Sequence, residues 1–178
     1  GKTALANKEY TSAVQFFEKL EARYPYGPYA EQAMLEGAYA YYKSDEMASA
    51  IAAANRFIRT HPTHPHVDYA IYLKGLASFD EERTTLEKYF GAGDASKRDP
   101  EALRDSYDAF RELVQRFPNS KYAEDGRKRL NYLVNAMAMT DIHAARYYYS
   151  RGAYVAVVNR TKNVIENYQR TPAVEEAL

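Results

Sequence analysis

The chain has 178 residues, 46% apolar and 27% charged, with 24 Lys and Arg balanced by 24 Asp and Glu, a composition that fits one folded domain or one array of repeats. Zero net charge argues against nucleic acid, whose phosphates require a concentrated excess of Lys and Arg, and the absence of cysteine removes disulfides, thiol catalysis and thiolate metal sites. No uninterrupted apolar run reaches about 18 residues, so no stretch is expected to cross a membrane as a helix.

In chain order, helices are predicted wherever apolar residues recur at helical spacing. The first such face carries Val14, Phe17 and Leu20 and ends in EARYPYGPYAEQA (21–33). A second helix end of the same form is AIAAANRFIRTHP (50–62). A third face, with Phe110, Leu113 and Phe117, runs into VQRFPNSKYAEDG (114–126), and a fourth, with Val157, Val164 and Ile165, into ENYQRTPAVEEA (166–177). Each phrase is the end of an amphipathic helix, an aromatic or imidazole side chain, a turn and a new helix start. The 18 Tyr, 7 Phe and no Trp suit such an array, because Tyr packs through its ring and keeps a polar tip for half-wet positions.

The period has a register. Ala13 stands twelve residues before Pro25, Ala50 twelve before Pro62 and Ser106 twelve before Pro118, while Val157 stands twelve before Gln169, where the proline is missing. Small residues on the preceding helices fall at Gly1, Ala38, Gly75 and Ala145, twelve before their partners except for Gly75, which has nineteen extra residues before Ser106. Small residues let antiparallel helices approach, aromatics fill the next layer and Pro stops the second helix. The pattern resembles the tetratricopeptide repeat and predicts an all-α fold, an α-solenoid or right-handed superhelix of antiparallel helix pairs. The expected divisions are a partial repeat 1 at 1–27, repeat 2 at 28–64, repeat 3 at 65–120, repeat 4 at 121–171 and the start of repeat 5 at 172–178. The array is read as cut from a longer one at both ends. Residues 80–98 are expected to form a charged, glycine-containing excursion, closed by Asp99 as a cap and Pro100 at a helix start. The stretch 121–150 lacks Pro and is expected to hold one long helix.

More specific phrases are RYPYGPYAEQA, AYAYYKSDE, RFIRTHPTHPHVDYAIYLKGL, SKRDP, FPNSKYA and YYYSRGAYVAVVNR, spread from about residue 8 to 172. They resemble the BamD family, the tetratricopeptide-repeat lipoproteins of the machinery that inserts β-barrel proteins into the outer membrane. The resemblance implies a non-enzymatic scaffold on the periplasmic face of the outer membrane, touching the membrane only through an N-terminal lipid outside this sequence. It also implies partners: the periplasmic domains of the barrel-forming subunit BamA, the lipoproteins BamC and BamE, and the C-terminal segments of unfolded outer-membrane proteins.

Competing chemistry is weak. His61, His64 and His66 are spaced by prolines that splay them along an extended turn, so a rigid connection between repeats is read there rather than a metal site. His143 stands alone on a helix. Glu81 and Glu82 belong to a solvated charged run, and Gly91-Ala92-Gly93 is too short for a phosphate loop and follows no strand. No cofactor, metal or catalytic constellation is expected.

The array predicts where a peptide would lie. First helices line the concave face, and the recurring positions fall on Leu35, Tyr39, Tyr42 and Lys43, then Tyr72, Leu76 and Phe79, then Ile142, Arg146 and Tyr149. Aromatic walls with a few cations suit an extended segment bearing aromatic side chains and a free carboxylate. The family resemblance further implies that the C-terminal repeats hold the barrel-forming subunit. On the matching phrase RGAYVAVVNR, Arg151 and Arg160 are the candidates for docking. Val155, Val158 and Lys162 share one helical face there, Ala156 and Arg160 another, which is expected to project as free charge. Residues 119–178 hold 9 Lys and Arg against 6 Asp and Glu, suiting an acidic partner. Two other functions fit the repeats: a cytosolic peptide-clamping adaptor or co-chaperone, which needs a Lys/Asn ladder where Tyr mostly stands here, and a helical arm attached to an enzyme.

Overall fold

The computed structural model describes residues 1–90 and 100–178; the side chains of Pro28 and of residues 80–102 fall outside that description. Among the described residues there are nine helices and no strand: α1 (Lys2–Ala6), α2 (Tyr10–Arg23), α3 (Pro28–Lys43), α4 (Met47–Thr60), α5 (Val67–Phe90), α6 (Pro100–Arg116), α7 (Ala123–Ser150), α8 (Tyr154–Asn167) and α9 (Ala173–Ala177). Each helix packs on the next in sequence, and α3 also meets α5 while α7 meets α9, which joins the first helices of the pairs into a layer. The result is a tetratricopeptide-type α-solenoid.

The turns explain why the pairs close as they do. Lys8, Asp45 and Gly152 take φ of 61°, 68° and 71°, and each lies seven residues after a small position: Gly1, Ala38 or Ala145. At each, the next residue's N–H reaches back across the helix end: Glu9 N to Ala4 O at 2.8 Å, Glu46 N to Tyr41 O at 2.9 Å and Ala153 N to Tyr148 O at 3.0 Å. This left-handed residue satisfies orphan carbonyls and reverses the chain. Gly152 adopts it without steric cost. The position seven after Gly75 is Glu82, and there the turn is absent because α5 runs on to Phe90. The other half of the expected excursion, residues 91–98, lies outside the described residues, as does the Asp99 cap. Helix α6 begins at Pro100.

Between pairs, Tyr24, His61, Phe117 and Tyr168 close the second helices, their N–H groups bonding Leu20, Phe57, Leu113 and Val164 oxygens at 2.8 to 2.9 Å. Three of them precede proline, which bars further α conformation.

The small-residue register is a packing device. A Cβ on Gly75 would sit 2.8 Å from Phe110 Cε1, and Phe110 is fully buried, so the ring occupies the space a side chain would need. Ser106 Oγ donates to the Gly75 carbonyl at 3.1 Å in the same layer. The main core joins Leu35, Phe57, Ile71, Phe110, Leu113 and Leu133 from five successive helices.

Helix α7 departs from the period. Pro25 to Ala38 and Pro62 to Gly75 each span thirteen residues, but Pro118 to Ala145 spans twenty-seven. The surplus makes one 28-residue helix whose first half packs on α6, with Gly126 against Leu113 and Val114, and whose second half packs on α8.

Candidate functional site

The sequence-predicted groove residues fall into three groups. Leu35 and Tyr39 line a cavity of about 270 Å³ with Gln32, Glu36, His66, Tyr69, Lys121 and Tyr122. Leu35, one of the positions expected to line the groove, is buried in the main core while also lining the cavity. Beside this cavity the Tyr72 ring stacks on Tyr122 with centroids 4.7 Å apart, and its hydroxyl donates to Asp125 at 2.8 Å. Leu76 and Phe79 pack against the same core, with Phe79 edge-on to Tyr132 and under the Arg129 guanidinium. Both are half-buried, and Phe79 is partly covered by α7 through Tyr132 and Arg129.

The second group is at the other end. Ile142, Arg146 and Tyr149 line a separate cavity of about 210 Å³ with Ala145, Val157, Thr161 and Glu176. Ile142, like Leu35, is buried rather than exposed. Arg146 grips Glu176 of α9 in a two-pronged pair, Nε at 2.5 Å and Nη2 at 2.6 Å. Tyr42 and Lys43 form the third group at the end of α3, where the ammonium lies 6.0 Å from the Tyr10 ring and 5.9 Å from Tyr42.

The electrostatics of the first cavity are those of packed phenols. Burial pushes Tyr69 well above the ordinary phenol range, with the neighbouring Tyr122, Tyr39 and Tyr72 and the Glu36 carboxylate adding to it. Tyr72 is raised by burial and then by its bond to Asp125. Burial opposes ionisation of Asp125, yet hydrogen bonds from Arg129 and Tyr72 hold its carboxyl below the usual range. Lys121 supplies a cation at the rim, 5.0 Å from the Tyr122 ring. Sequence periodicity passed over His66, Tyr69, Lys121 and Tyr122, because they stand at helix starts and in the α6–α7 connection. Their signal was the spacing of Tyr69 and Tyr72 on one helical face.

At the docking candidates the structure revises the expected geometry. Arg160 does not project as free charge: its Nη1 donates to Asp141 Oδ1 at 2.7 Å, and Asn163 donates to the other oxygen at 2.6 Å. Asp141 is only 7% exposed, so it needs these donors. The bond to Asp141 pushes the Arg160 guanidinium still higher than its ordinary range. Arg151 is exposed, its guanidinium 5.4 Å from the Tyr147 ring. The shared face of Val155, Val158 and Lys162 points outward, with Val155 78% and Val158 60% exposed.

The histidine turn is built as a connection. His61 and His64 lie against the Phe57 ring and face Glu31 at 3.6 and 3.5 Å, while His64 Nδ1 accepts from His66 N at 3.1 Å. Among the described residues, no three of His, Cys, Asp and Glu converge to hold a metal ion, and no helix is long and apolar enough to cross a membrane. Glu81 and Glu82 lie along α5 with their side chains outside the described set; Gly91 to Gly93 lie wholly outside it.

Fold and faces together define a tetratricopeptide-type repeat protein with a tyrosine-lined cavity. The YfiO family, described as outer membrane lipoprotein, matches residues 1–178, and the chain belongs to that family. It is 51% identical over 174 residues to the outer membrane protein assembly factor BamD of Neisseria gonorrhoeae, covering 98% of this chain and 65% of that protein. Similarity to the proteins of the same name is 38% identity over 177 residues in Vibrio cholerae, 99% of this chain and 73% of that one. In Haemophilus influenzae it is 32% over 178 residues, 100% and 68%. The chain thus spans 65% of the length of the Neisseria relative.

Proposed function

We propose that this chain is the repeat body of an outer-membrane protein assembly factor, acting without catalysis and divided into repeats at the limits set out above. Its concave face holds extended C-terminal segments of unfolded barrel precursors. The observation that carries this reading is the cavity shared by α3, α5 and the α6–α7 connection, where Tyr39, Tyr69 and Tyr122 offer ring faces and Lys121 offers a cation. A terminal aromatic ring fits the phenols and its carboxylate fits the ammonium. Arg146 and Tyr149 belong to a second subsite on the same layer of first helices.

The α7–α8 end docks other subunits, with BamA's periplasmic domains the first candidate and BamC and BamE further ones. There Arg151, Tyr147, Val155 and Val158 form the outward surface, and Arg160 acts by holding α8 on Asp141.

Titration calorimetry with a peptide ending in an aromatic residue tests the groove. Lys121→Ala and amidation of the peptide's carboxylate should each weaken binding by about 1 kcal/mol, as for a rim charge pair, and should not add. Tyr39→Ala should cost about 1–3 kcal/mol of binding. Equal affinity for the free and amidated peptides would remove Lys121 from the site.

A further inference from the structure

A cavity of about 520 Å³ between α2, α3 and α4 is used by neither the groove nor the docking end. On α3 it is lined by Ala30, Met34, Gly37 and Tyr41, which share one helical face. At about 100° per residue that face lies half a turn from Gln32, Leu35, Glu36 and Tyr39, which line the groove cavity. The cleft therefore opens behind the groove, on the side of the second helices.

It is made by residue choice rather than by the repeat itself. Ala38 and Gly75 stand 37 and 74 residues after Gly1, and the same period carries Glu21, Ala30, Met34 and Gly37 onto Ile58, Val67, Ile71 and Lys74. There Val67 and Ile71 are fully buried, and Ile58 packs on the main core. Between α2 and α3 those places hold instead a carboxylate, a methyl group, an unbranched thioether and no side chain at all. Val14 and Phe17 complete an apolar floor, and the Met34 thioether adapts its shape to what lies on it.

The rim carries a net negative charge. Glu21 is matched by Arg56. Glu18 accepts from the Tyr41 hydroxyl, a neutral donor that leaves its charge in place, and it has no ion pair among the described residues. Burial and the bond to Glu18, followed by the charges of Glu18, Glu46 and Glu21, push the Tyr41 phenol up to about 12. Lys19 and Arg23, the other cations of α2 near this end, do not line the cleft, while Glu18 at its edge is exposed. An apolar floor edged by uncompensated negative charge is complementary to a helix with an apolar stripe flanked by cations.

We propose that this cleft docks a partner protein through a basic amphipathic helix. One apolar side chain enters over Phe17 and Met34, and a Lys or Arg one turn away meets Glu18. The site is separate from the peptide groove, because it lies on the opposite face of α3.

The probe is a fluorescein-labelled, end-blocked helical peptide with Leu and Lys along one face, compared with a copy bearing Glu in place of each Lys. Fluorescence anisotropy should show binding of the Lys peptide alone, weakening as salt is added. Gly37→Leu fills the cleft and should weaken binding at least about tenfold, the loss of one large apolar side chain's burial. A Cβ at Gly37 would meet Phe17 Cβ at 3.5 Å and Glu21 Oε1 at 3.8 Å, ordinary contacts, so Gly37→Ala should bind as the unsubstituted chain does. Glu18→Gln keeps an acceptor for Tyr41 and should weaken binding about two- to fivefold, as for an exposed charge pair. A peptide ending in a free aromatic residue should bind the groove equally in all of these chains. Equal binding of the Lys and Glu peptides, full binding by Gly37→Leu, or a parallel loss of the groove peptide in that variant overturns the proposal. Circular dichroism of each variant checks that the helices are retained.

Discussion

Tyr72 and Tyr149 are the same residue type on first helices of the array, yet they and the tyrosines around them do opposite work. Tyr72 stacks on Tyr122, meets Phe110 edge-on at 6.1 Å and spends its hydroxyl on Asp125, which Arg129 also holds at 2.6 Å. Tyr147, Tyr149 and Tyr154 touch other rings edge-on, but 56%, 66% and 64% of their surface remains open. The difference is coverage. The first group lies where α5, α6 and the first half of α7 meet through Tyr72, Phe110 and Tyr122, and the second lies along the second half of α7 and the start of α8. A Tyr count therefore signals a half-wet architecture without saying which rings are mortar and which are surface.

The comparison breaks most directly at Tyr72. Tyr72→Ala should cost about 2–4 kcal/mol in chemical denaturation, somewhat less than a fully buried aromatic because the ring is only partly covered. A double substitution of Tyr39 and Tyr72 would therefore confuse binding with stability, whereas Tyr39 with Lys121 would not.

Next in size is Arg160→Glu, which sets a carboxylate against the buried Asp141. A loss of about 1–3 kcal/mol is expected, because Asp141 loses its charged donor. Thermal melting that matches the unsubstituted chain would show that Asn163 alone satisfies Asp141. Arg151→Glu, on an open surface, is the cleaner probe of docking: partner capture should slow while the melting temperature holds.

Tyr72→Phe keeps the ring and removes only the hydroxyl, so about 1 kcal/mol should go. The remaining ring packing would then account for most of the Tyr72→Ala effect.

Alkaline titration sharpens the contrast further. Burial raises Tyr69, Tyr72 and Tyr168, and takes Tyr41 to about 12 with help from Glu18. Raised phenols bind protons more tightly in the folded chain, so their contribution to stability is complete below about pH 10 and falls as pH climbs through the folded values. Tyrosinate absorbance from these four should appear late and together with unfolding. Asp125 has the opposite sign: its lowered carboxyl contributes above about pH 4 and is lost on acidification below that. Denaturation midpoints that stay flat from pH 9 to 12 would contradict the alkaline half.

The smallest effect belongs to Tyr149→Ala, expected within about 0.5 kcal/mol of the unsubstituted chain. A larger loss would make that end of α7 structural after all.

Much of the architecture was readable from residue order. Small residues at Gly1, Ala38, Gly75 and Ala145, and the closing prolines, carry their meaning locally, since a helix that must approach another closely can hold only a small side chain at the contact. A long helix within 121–150 followed from the want of a breaker, and it is found at Ala123–Ser150. The turns were not legible in advance: the residue seven past the small position reverses the chain at Lys8, Asp45 and Gly152, yet the same position after Gly75 lies inside α5. Fates of individual side chains were not local in this way. Leu35 and Ile142 share the groove register with exposed neighbours, and only the helices laid across them bury them. Arg160 became a strut rather than a free cation because Asp141, nineteen residues earlier, arrives beside it only once α7 and α8 pack. Periodicity along one helix reports which residues share a face; what that face meets depends on helices distant in sequence, and burial, pairing and pKa are set there.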